Sequence, residues 1–179
     1  MTELLVLDPT NAVSESTAEL VARPASFEGL VVGYLDNTKP NSDRFLDILT
    51  STLATEGVRE SVRARKNYVG RLADPEMLDD LAARCDVVVT GVGDCAGCCS
   101  CSVQDAIALE RRGVPTFMVC TSELLTTATI AASTVGVPDY PFVVIDHPFG
   151  ALGIPELTER AGEAHRQILA QRMDVRRAG

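Results

Sequence analysis

The sequence predicts a three-layer α/β sandwich with a mostly parallel sheet of roughly five strands, flavodoxin-like or Rossmann-like in type. Two observations predict this fold class. Short apolar runs rich in valine, leucine and isoleucine alternate with longer segments whose apolar residues recur at the helical period. Polar loops separate these segments, and the alternation is typical of parallel strands joined by right-handed helical crossovers.

The first half of the predicted domain contains two strands and two helices. The predicted elements are a strand over residues 30–35, a helix over 42–56, a weaker strand over 58–64 and a helix over 74–84. The first strand is a continuous apolar run that ends at Asp36, as a buried strand does where a polar loop begins. Gly57 ends the first helix, and Pro75 occupies the first position of the second.

The second half repeats this alternation around the clearest strand of the chain. The predicted elements are strands over residues 86–92, 116–120 and 142–145, and helices over 103–112, 122–134 and 155–172. The strand over 86–92 is rich in β-branched residues and contains a glycine near its end. Gly113 caps the helix before the next strand, and Pro115 leads into that strand.

Residues 29–175 are predicted to form a single α/β domain, preceded by an extended arm over residues 1–28. The arm holds one apolar run, Leu4–Leu7, that suits a short strand. The chain has 179 residues and a net charge of −9, which would repel phosphate backbones, so we expect no nucleic-acid partner. The N-terminus lacks the features of a signal peptide, and no apolar stretch is long enough for a membrane span. We therefore expect a cytoplasmic protein without membrane contact.

Four of the six cysteines, Cys95, Cys98, Cys99 and Cys101, lie close together immediately after the clearest strand. Glycines in this segment let the backbone turn tightly, and the next predicted helix begins just beyond it. The N-terminus of a helix stabilises an anion such as a thiolate, which is the nucleophilic form of cysteine. The Cys-x-x-Cys spacing lets one thiol attack and the other resolve the mixed disulfide, so a redox or nucleophile site is favoured.

A metal or iron–sulfur site is the alternative for the same four cysteines, since thiolates are good ligands for zinc, copper and iron. The sequence offers no second Cys-x-x-Cys pair outside this cluster, and its two histidines, His147 and His165, do not follow a ligand spacing. Packing of small buried thiols would explain one or two cysteines but not four so close together. We therefore expect no resident cofactor, with zinc, copper or iron as the alternative.

The cysteine segment and its flank, residues 91–116, resemble the UGSC family, whose members carry a selenocysteine-Gly-Ser-Cys motif in this context. The other segments that resemble this family are residues 7–10, 35–41 and 147–150. The cysteine segment is also similar to part of the selenoprotein B subunit of glycine, sarcosine and betaine reductases.

The resemblance implies a role for three of the cysteines. Cys95 occupies the position of selenocysteine, Cys98 the position of the resolving thiol, and Cys101 that of a third thiol. A cysteine in place of selenocysteine is a weaker nucleophile but keeps the same role. The resemblance implies the fold and the position of the nucleophile more than a particular reaction.

Several polar residues beside the predicted ends of strands are candidates for substrate contacts or proton transfer. His147 follows the last strand and is our candidate general acid. Asp94 directly precedes the first cysteine of the cluster, where it could orient the loop, contact substrate or take a proton. Asp36 and Asn37 could bind a polar substrate or cap the next helix, and for Asn41 capping is favoured.

Thr121 and Ser122 begin a predicted helix, where they could hold a carboxylate or phosphate or only cap the helix. Gly91 and Gly93 match a dinucleotide fingerprint only weakly, and no acidic residue follows at the required distance, so we predict neither NAD nor FAD. The carboxyl ends of parallel strands lie at one edge of the sheet, so the polar loops after the strands should converge there.

These residues together predict an enzyme, a thiol-dependent oxidoreductase or reductive lyase that acts on a small polar molecule. In this hypothesis Cys95 attacks, Cys98 resolves, and an external thiol reductant recycles the resulting disulfide. His147 supplies a proton to the same substrate. Association with a partner subunit or with a second copy of the chain is a further expectation.

Overall fold

The computed structural model describes residues 19–174 and shows a parallel sheet with helices on both faces. The strands are β1 (Val31–Asp36), β2 (Glu60–Arg65), β3 (Val87–Gly93), β4 (Thr116–Thr121) and β5 (Val143–Ile145). The helices are α1 (Ser42–Ala54), α2 (Pro75–Arg84), α3 (Ala96–Glu110), α4 (Leu125–Thr134) and α5 (Ile154–Asp174). The strand order is β2-β1-β3-β4-β5, and all four neighbouring pairs are parallel. This is the flavodoxin-like order, so the predicted fold class is confirmed.

The core lies in two layers, one on each face of the sheet. Helices α1 and α5 pack against one face, where Phe45 and Leu157 are fully buried. Helices α2, α3 and α4 cover the other face, with Leu81 and Val103 among its buried side chains. All residues of β1, β3 and β4 are buried because helices cover these central strands on both faces. Within residues 19–174, none of the helices combines the length and the apolar character that crossing a membrane requires.

Two helices begin at places other than those the sequence predicts. Helix α3 begins at Ala96, inside the cysteine cluster rather than after it, because Cys95 takes the extended conformation of an N-cap residue. The predicted helix after β4 starts as one turn of 3-10 helix, Ser122–Leu124, and becomes α-helical only at Leu125. Three of the four clustered cysteines therefore lie on a helix and not in a glycine-rich turn.

The segment before β1 packs against the sheet without forming a helix or strand over residues 19–28. Arg23 is buried, and its guanidinium pairs with Glu110 at 2.5 Å and donates to the Thr116 carbonyl at 3.0 Å. Phe27 is fully buried in the core on the α1 and α5 side. The strand predicted at Leu4–Leu7, and most of the predicted arm, lie outside the described residues.

The connection from β3 to α3 depends on a very close approach between strand and helix at Gly93. A Cβ atom at this position would lie 2.9 Å from Sγ of Cys99, 3.1 Å from its Cα and 3.1 Å from Cε of Met118. These contacts are too short for a side chain, so only glycine lets α3 pack directly on the end of β3. The register between β3 and β4 also shifts between Thr90 and Gly93.

We expect Gly93→Ala to lower the free energy of unfolding by about 1–3 kcal/mol, because the added methyl group overpacks the contact with Cys99. Gly97 is a matched control, since nothing lies within 4 Å of its Cβ position and it lies in helix α3. Gly97→Ala should raise the free energy of unfolding by up to about 1 kcal/mol through helix propensity. Denaturant unfolding measures both effects, and a Gly93→Ala variant as stable as the parent would contradict the close approach.

Candidate active site

The carboxyl ends of β1 and β3 are neighbours in the sheet, and the helices that follow these strands pack on opposite faces. This is the topological switch point, where open parallel sheets form a crevice between two loops that diverge. The loop after β3 consists of Asp94 and Cys95 alone, and the loop after β1 runs from Asn37 to Asn41. Cys95 therefore lies at the position of the sheet that is best suited to bind a ligand.

Cys95 and Cys98 cap the N-terminus of α3 reciprocally. The Cys98 backbone N–H donates to Sγ of Cys95 at 3.4 Å, and the Cys95 backbone N–H donates to Sγ of Cys98 at 3.1 Å. The Cys98 thiol also contacts the Cys95 carbonyl at 3.2 Å. This geometry corresponds to a capping box in which two sulfur atoms replace the usual oxygen atoms. It brings the two thiols together at the positive end of the helix dipole.

The two thiols differ in their exposure to solvent. Cys95 is exposed, whereas Cys98 is 1% exposed. Burial, together with the hydrogen bond to Cys95, raises the pKa of the Cys98 thiol to about 11. At neutral pH Cys98 is therefore a protonated thiol held beside an exposed one, and Cys95 has the accessible sulfur of the pair.

The other two clustered cysteines take no part in the reciprocal capping. Cys99 is fully buried, its thiol contacts the Leu124 carbonyl at 3.8 Å, and burial raises its pKa. Cys101 is half-buried near the buried ion pair of Lys66 and Asp105, and burial raises its pKa as well. Across residues 19–174, no three His, Cys, Asp or Glu side chains are grouped so that they could hold a metal ion.

Asp94 connects three loops around Cys95. Its carboxylate is 7% exposed, and Oδ2 pairs with Nζ of Lys39 at 3.2 Å and accepts the Gly150 backbone N–H at 3.3 Å. Its Oδ1 atom lies 3.1 Å from Nδ1 of His147 and has no aligned hydrogen-bond donor. Asp94 therefore holds both a lysine and a histidine beside the cysteine that follows it.

Lys39 is the residue of this group that the sequence analysis did not single out. Burial by itself lowers its pKa, but the hydrogen bond and charge of Asp94, with the charges of Cys95 and Cys98, raise the pKa overall. Its ammonium group is therefore a permanent positive charge beside the thiols. The sequence did contain a signal for Lys39. It lies in the loop after β1, and at a topological switch point this loop lies next to the end of β3.

His147 and Thr121 come from two further strand ends. Nδ1 of His147 lies 3.2 Å from Oγ1 of Thr121, which itself contacts the Gly93 carbonyl at 3.4 Å. Oδ1 of Asp94 lies 3.1 Å from the same nitrogen, so two oxygen atoms from different loops surround it. The imidazole is 36% exposed. Nδ1 of the ring thus contacts the protein, and the ring is partly open to solvent, as a group that exchanges protons with a substrate has to be.

Asn37 has a framework role instead of the predicted contact with substrate. It is fully buried, and its amide nitrogen donates to the Val92 carbonyl at 2.9 Å and to Oγ of Ser102 at 3.0 Å. Its amide oxygen accepts the backbone N–H of Val92 at 3.1 Å and that of Lys39 at 3.2 Å. These bonds use its donors and acceptors and join the ends of β1 and β3 to α3.

Asp36 and Asn41 also shape the loop after β1. Asp36 is 2% exposed, and it accepts the Thr38 backbone N–H and the Ser42 hydroxyl and pairs with Arg65 at 3.5 Å. Asn41 takes the N-cap position of α1, but its side chain makes no capping bond. Its amide instead donates to carbonyls of residues 149, 150 and 152, so the expected capping role is wrong. Asn41 fastens the His147 loop to the loop after β1.

The structure thus brings together five of the residues that the sequence analysis named: Asp94, Cys95, Cys98, Thr121 and His147. Asn37 joins the ends of β1 and β3 to α3, and Asp36 accepts a backbone hydrogen bond in the loop after β1. Ser122 is exposed in the 3-10 turn, and among residues 19–174 it has no side-chain hydrogen bond. The third thiol, Cys101, lies beside the neighbouring Lys66 and Asp105 pair.

Comparison with known proteins identifies the family. The sequence model of the UGSC family matches residues 5–173. Among solved structures, a diflavin flavoprotein A3 from Nostoc sp. is similar with a TM-score of 0.43 at 17% sequence identity, over 84% of this chain and 97% of that chain. A comparison with curated proteins found no match. Because the family match extends over almost the whole sequence, the chain belongs to the UGSC family.

Proposed function

We propose that this protein is an enzyme, a thiol-dependent oxidoreductase or reductive lyase that reduces a small polar molecule with the Cys95 and Cys98 pair. The observation that carries the proposal is the reciprocal capping of these two residues at the switch point. It places one exposed sulfur in the crevice and a buried, protonated thiol in contact with it. This is the arrangement that attack followed by resolution requires.

The reaction has two covalent steps, written here for a disulfide substrate RS–SR′. The Cys95 thiolate attacks one sulfur, the substrate S–S bond breaks, and R′S⁻ leaves and takes up a proton. Cys98 then loses its proton and attacks Sγ of Cys95, so that RS⁻ leaves and is protonated. Two electrons have passed from the two thiols to the substrate. An external dithiol reduces the resulting Cys95–Cys98 disulfide and completes the cycle.

The surrounding charges suit these steps. Lys39 stabilises negative charge on the sulfur atoms that attack and leave, because its ammonium is a permanent charge next to both thiols. His147, fixed through Nδ1 by Asp94 and Thr121, supplies the proton to the first leaving group. All six cysteines are free thiols, which fits a reducing compartment such as the cytoplasm.

The stoichiometry of thiol release tests the proposal. Dithiobis(nitrobenzoate) should release two thionitrobenzoates per chain in its fast phase, one when Cys95 is modified and one when Cys98 resolves the adduct. Cys98→Ser should release one and leave a stable mixed disulfide on Cys95, which mass spectrometry of the peptide detects. Cys101→Ser, the matched control on the same helix, should still release two.

Three results would refute this assignment. One is a Cys95→Ser variant that keeps the fast phase, and another is a release of one equivalent from Cys101→Ser rather than from Cys98→Ser. Freshly purified protein that retains stoichiometric zinc, copper or iron after dialysis would instead support the metal alternative. Each outcome is measured without knowledge of the natural substrate.

A second experiment tests the proton donor. Dithiodipyridine has a leaving group that is stable without a proton, whereas bis(hydroxyethyl) disulfide releases an alkyl thiolate that needs one. In His147→Gln the ratio of the rates on the second reagent to the first should fall about 100-fold, the lower part of the range for a positioned acid. His165→Gln is the matched control, because His165 pairs with Glu56 on α1's side of the molecule. An unchanged ratio in His147→Gln would remove His147 from the mechanism.

A further inference from the structure

A groove of about 310 Å³ opens at the loop after β1, the start of α1 and the end of β2. Its lining contains three basic side chains, Lys39, Arg44 and Arg65, and one acidic side chain, Asp43. The whole chain carries a net charge of −9, so a concentration of basic residues in one groove opposes the general charge of the protein. Asp94 and Asp36 lie against Lys39 and Arg65, so the charges around the groove balance, and its attraction for a small anion depends on the guanidinium groups of Arg44 and Arg65.

Two of these basic side chains have hydrogen-bond donors to spare. Arg44 is exposed, and its guanidinium makes no hydrogen bond or ion pair within residues 19–174. Arg65 is 59% exposed and lies 3.5 Å from Asp36 and 3.8 Å from Asp43, longer than a direct charge-assisted hydrogen bond. A guanidinium group presents five donors in a planar fork, which matches the oxygen atoms of a carboxylate or phosphate.

The side chains, rather than the end of helix α1, would recognise the anion. The backbone N–H of Ser42 already donates to the Lys39 carbonyl, and that of Arg44 donates to Oδ1 of Asp43. The backbone N–H of Phe45 donates to the Asn41 carbonyl within the first turn. These amides therefore contribute little to an anion in the groove.

Lys39 joins the groove to the thiol site, because it lines the groove and pairs with Asp94 at 3.2 Å. Asp94 directly precedes Cys95, and the charges of Cys95 and Cys98 act on the Lys39 ammonium. A molecule whose anionic end contacts Arg44 and Arg65 would extend past Lys39 toward the exposed sulfur.

We propose that this groove binds the carboxylate or phosphate group of the small molecule that Cys95 attacks, with Arg44 and Arg65 as its specificity-determining contacts. The inference rests on the proposed function and names its substrate class, a small molecule with an anionic group at one end and a reducible bond at the other. Lys39 lines the groove and pairs with Asp94, so we expect it to lie between the anionic end of the bound molecule and its reducible bond.

The test compares an anionic with a neutral disulfide on the same sulfur. The rates at which dithiobis(nitrobenzoate), a carboxylate, and neutral dithiodipyridine modify Cys95 are measured, and their ratio isolates recognition of the anion. In the double variant Arg44→Gln/Arg65→Gln this ratio should fall about 10-fold, the effect of losing hydrogen bonds to a charged group. The control is Arg59→Gln/Arg84→Gln, which removes the same charge at the opposite edge of the sheet, before β2 and at the end of α2.

Inorganic phosphate and acetate, added separately, distinguish the two kinds of anion. The one that more strongly slows modification of the parent protein by dithiobis(nitrobenzoate) identifies the preferred group, and no competition by either would contradict the proposal. An equal fall of the rate ratio in the control double variant, or no fall in the groove variant, would also overturn it. Failure of the proposed function is separately visible, because neutral dithiodipyridine would then not release two thiopyridones per chain from the parent protein.

Discussion

Only two residues, Asp94 and Cys95, separate strand β3 from helix α3, and this short connection determines where the exposed sulfur of Cys95 lies. The connection is possible because position 93 has no side chain, so that Cys99 packs directly against the end of the strand. Asn37 adds a second constraint, since its buried amide joins the end of β1 to β3 and α3. With both ends fixed, Cys95 has to be the N-cap of α3 at the switch point, and its sulfur has to meet the first turn of that helix.

The same connection explains why a lysine, Lys39, lies near the thiols of an acidic protein. Asp94 is the residue that the short turn leaves between strand and helix, and its buried carboxylate needs partners. It obtains them from the loops after β1 and β5, as Lys39 and His147. The carboxylate therefore gathers two proton-carrying groups around the neighbouring sulfur, while Asn41 holds the two loops together. Lys39 and His147 thus lie near Cys95 because the buried carboxylate of Asp94 requires polar partners.

The fold could be predicted because its signals are local. Buried central strands appear as continuous apolar runs, and the helices between them show the helical period, so the alternation itself defines a parallel sheet. The start of α3 could not be predicted in this way, since its cap is a cysteine and not one of the usual capping residues. An error in that start matters, because each residue turns a helix by about 100° and decides which face a thiol occupies. The different surroundings of Cys98, Cys99 and Cys101 were therefore outside what the sequence could show.

The roles of the polar residues depend on contacts between segments that are distant in the sequence. The rule that strand ends converge was sufficient to place Cys95 and His147 at one edge of the sheet. It could not distinguish Asn37 from Lys39. Asn37 is fully buried and holds strand ends together, whereas Lys39 is partly exposed and pairs with Asp94. Both residues follow β1 and both are polar, so only the three-dimensional structure shows that Asn37 is structural and that Lys39 lies in the candidate site.

The central claim is that Cys95 and Cys98 form the working pair of thiols. A crystal structure of the protein after mild oxidation with diamide tests it most directly, because the electron density shows which sulfur atoms have joined. We expect continuous density between Sγ of Cys95 and Sγ of Cys98, with the other four cysteines still reduced. Density that joins Cys95 to Cys99 or Cys101, or a metal ion shared among the sulfur atoms, would contradict the account.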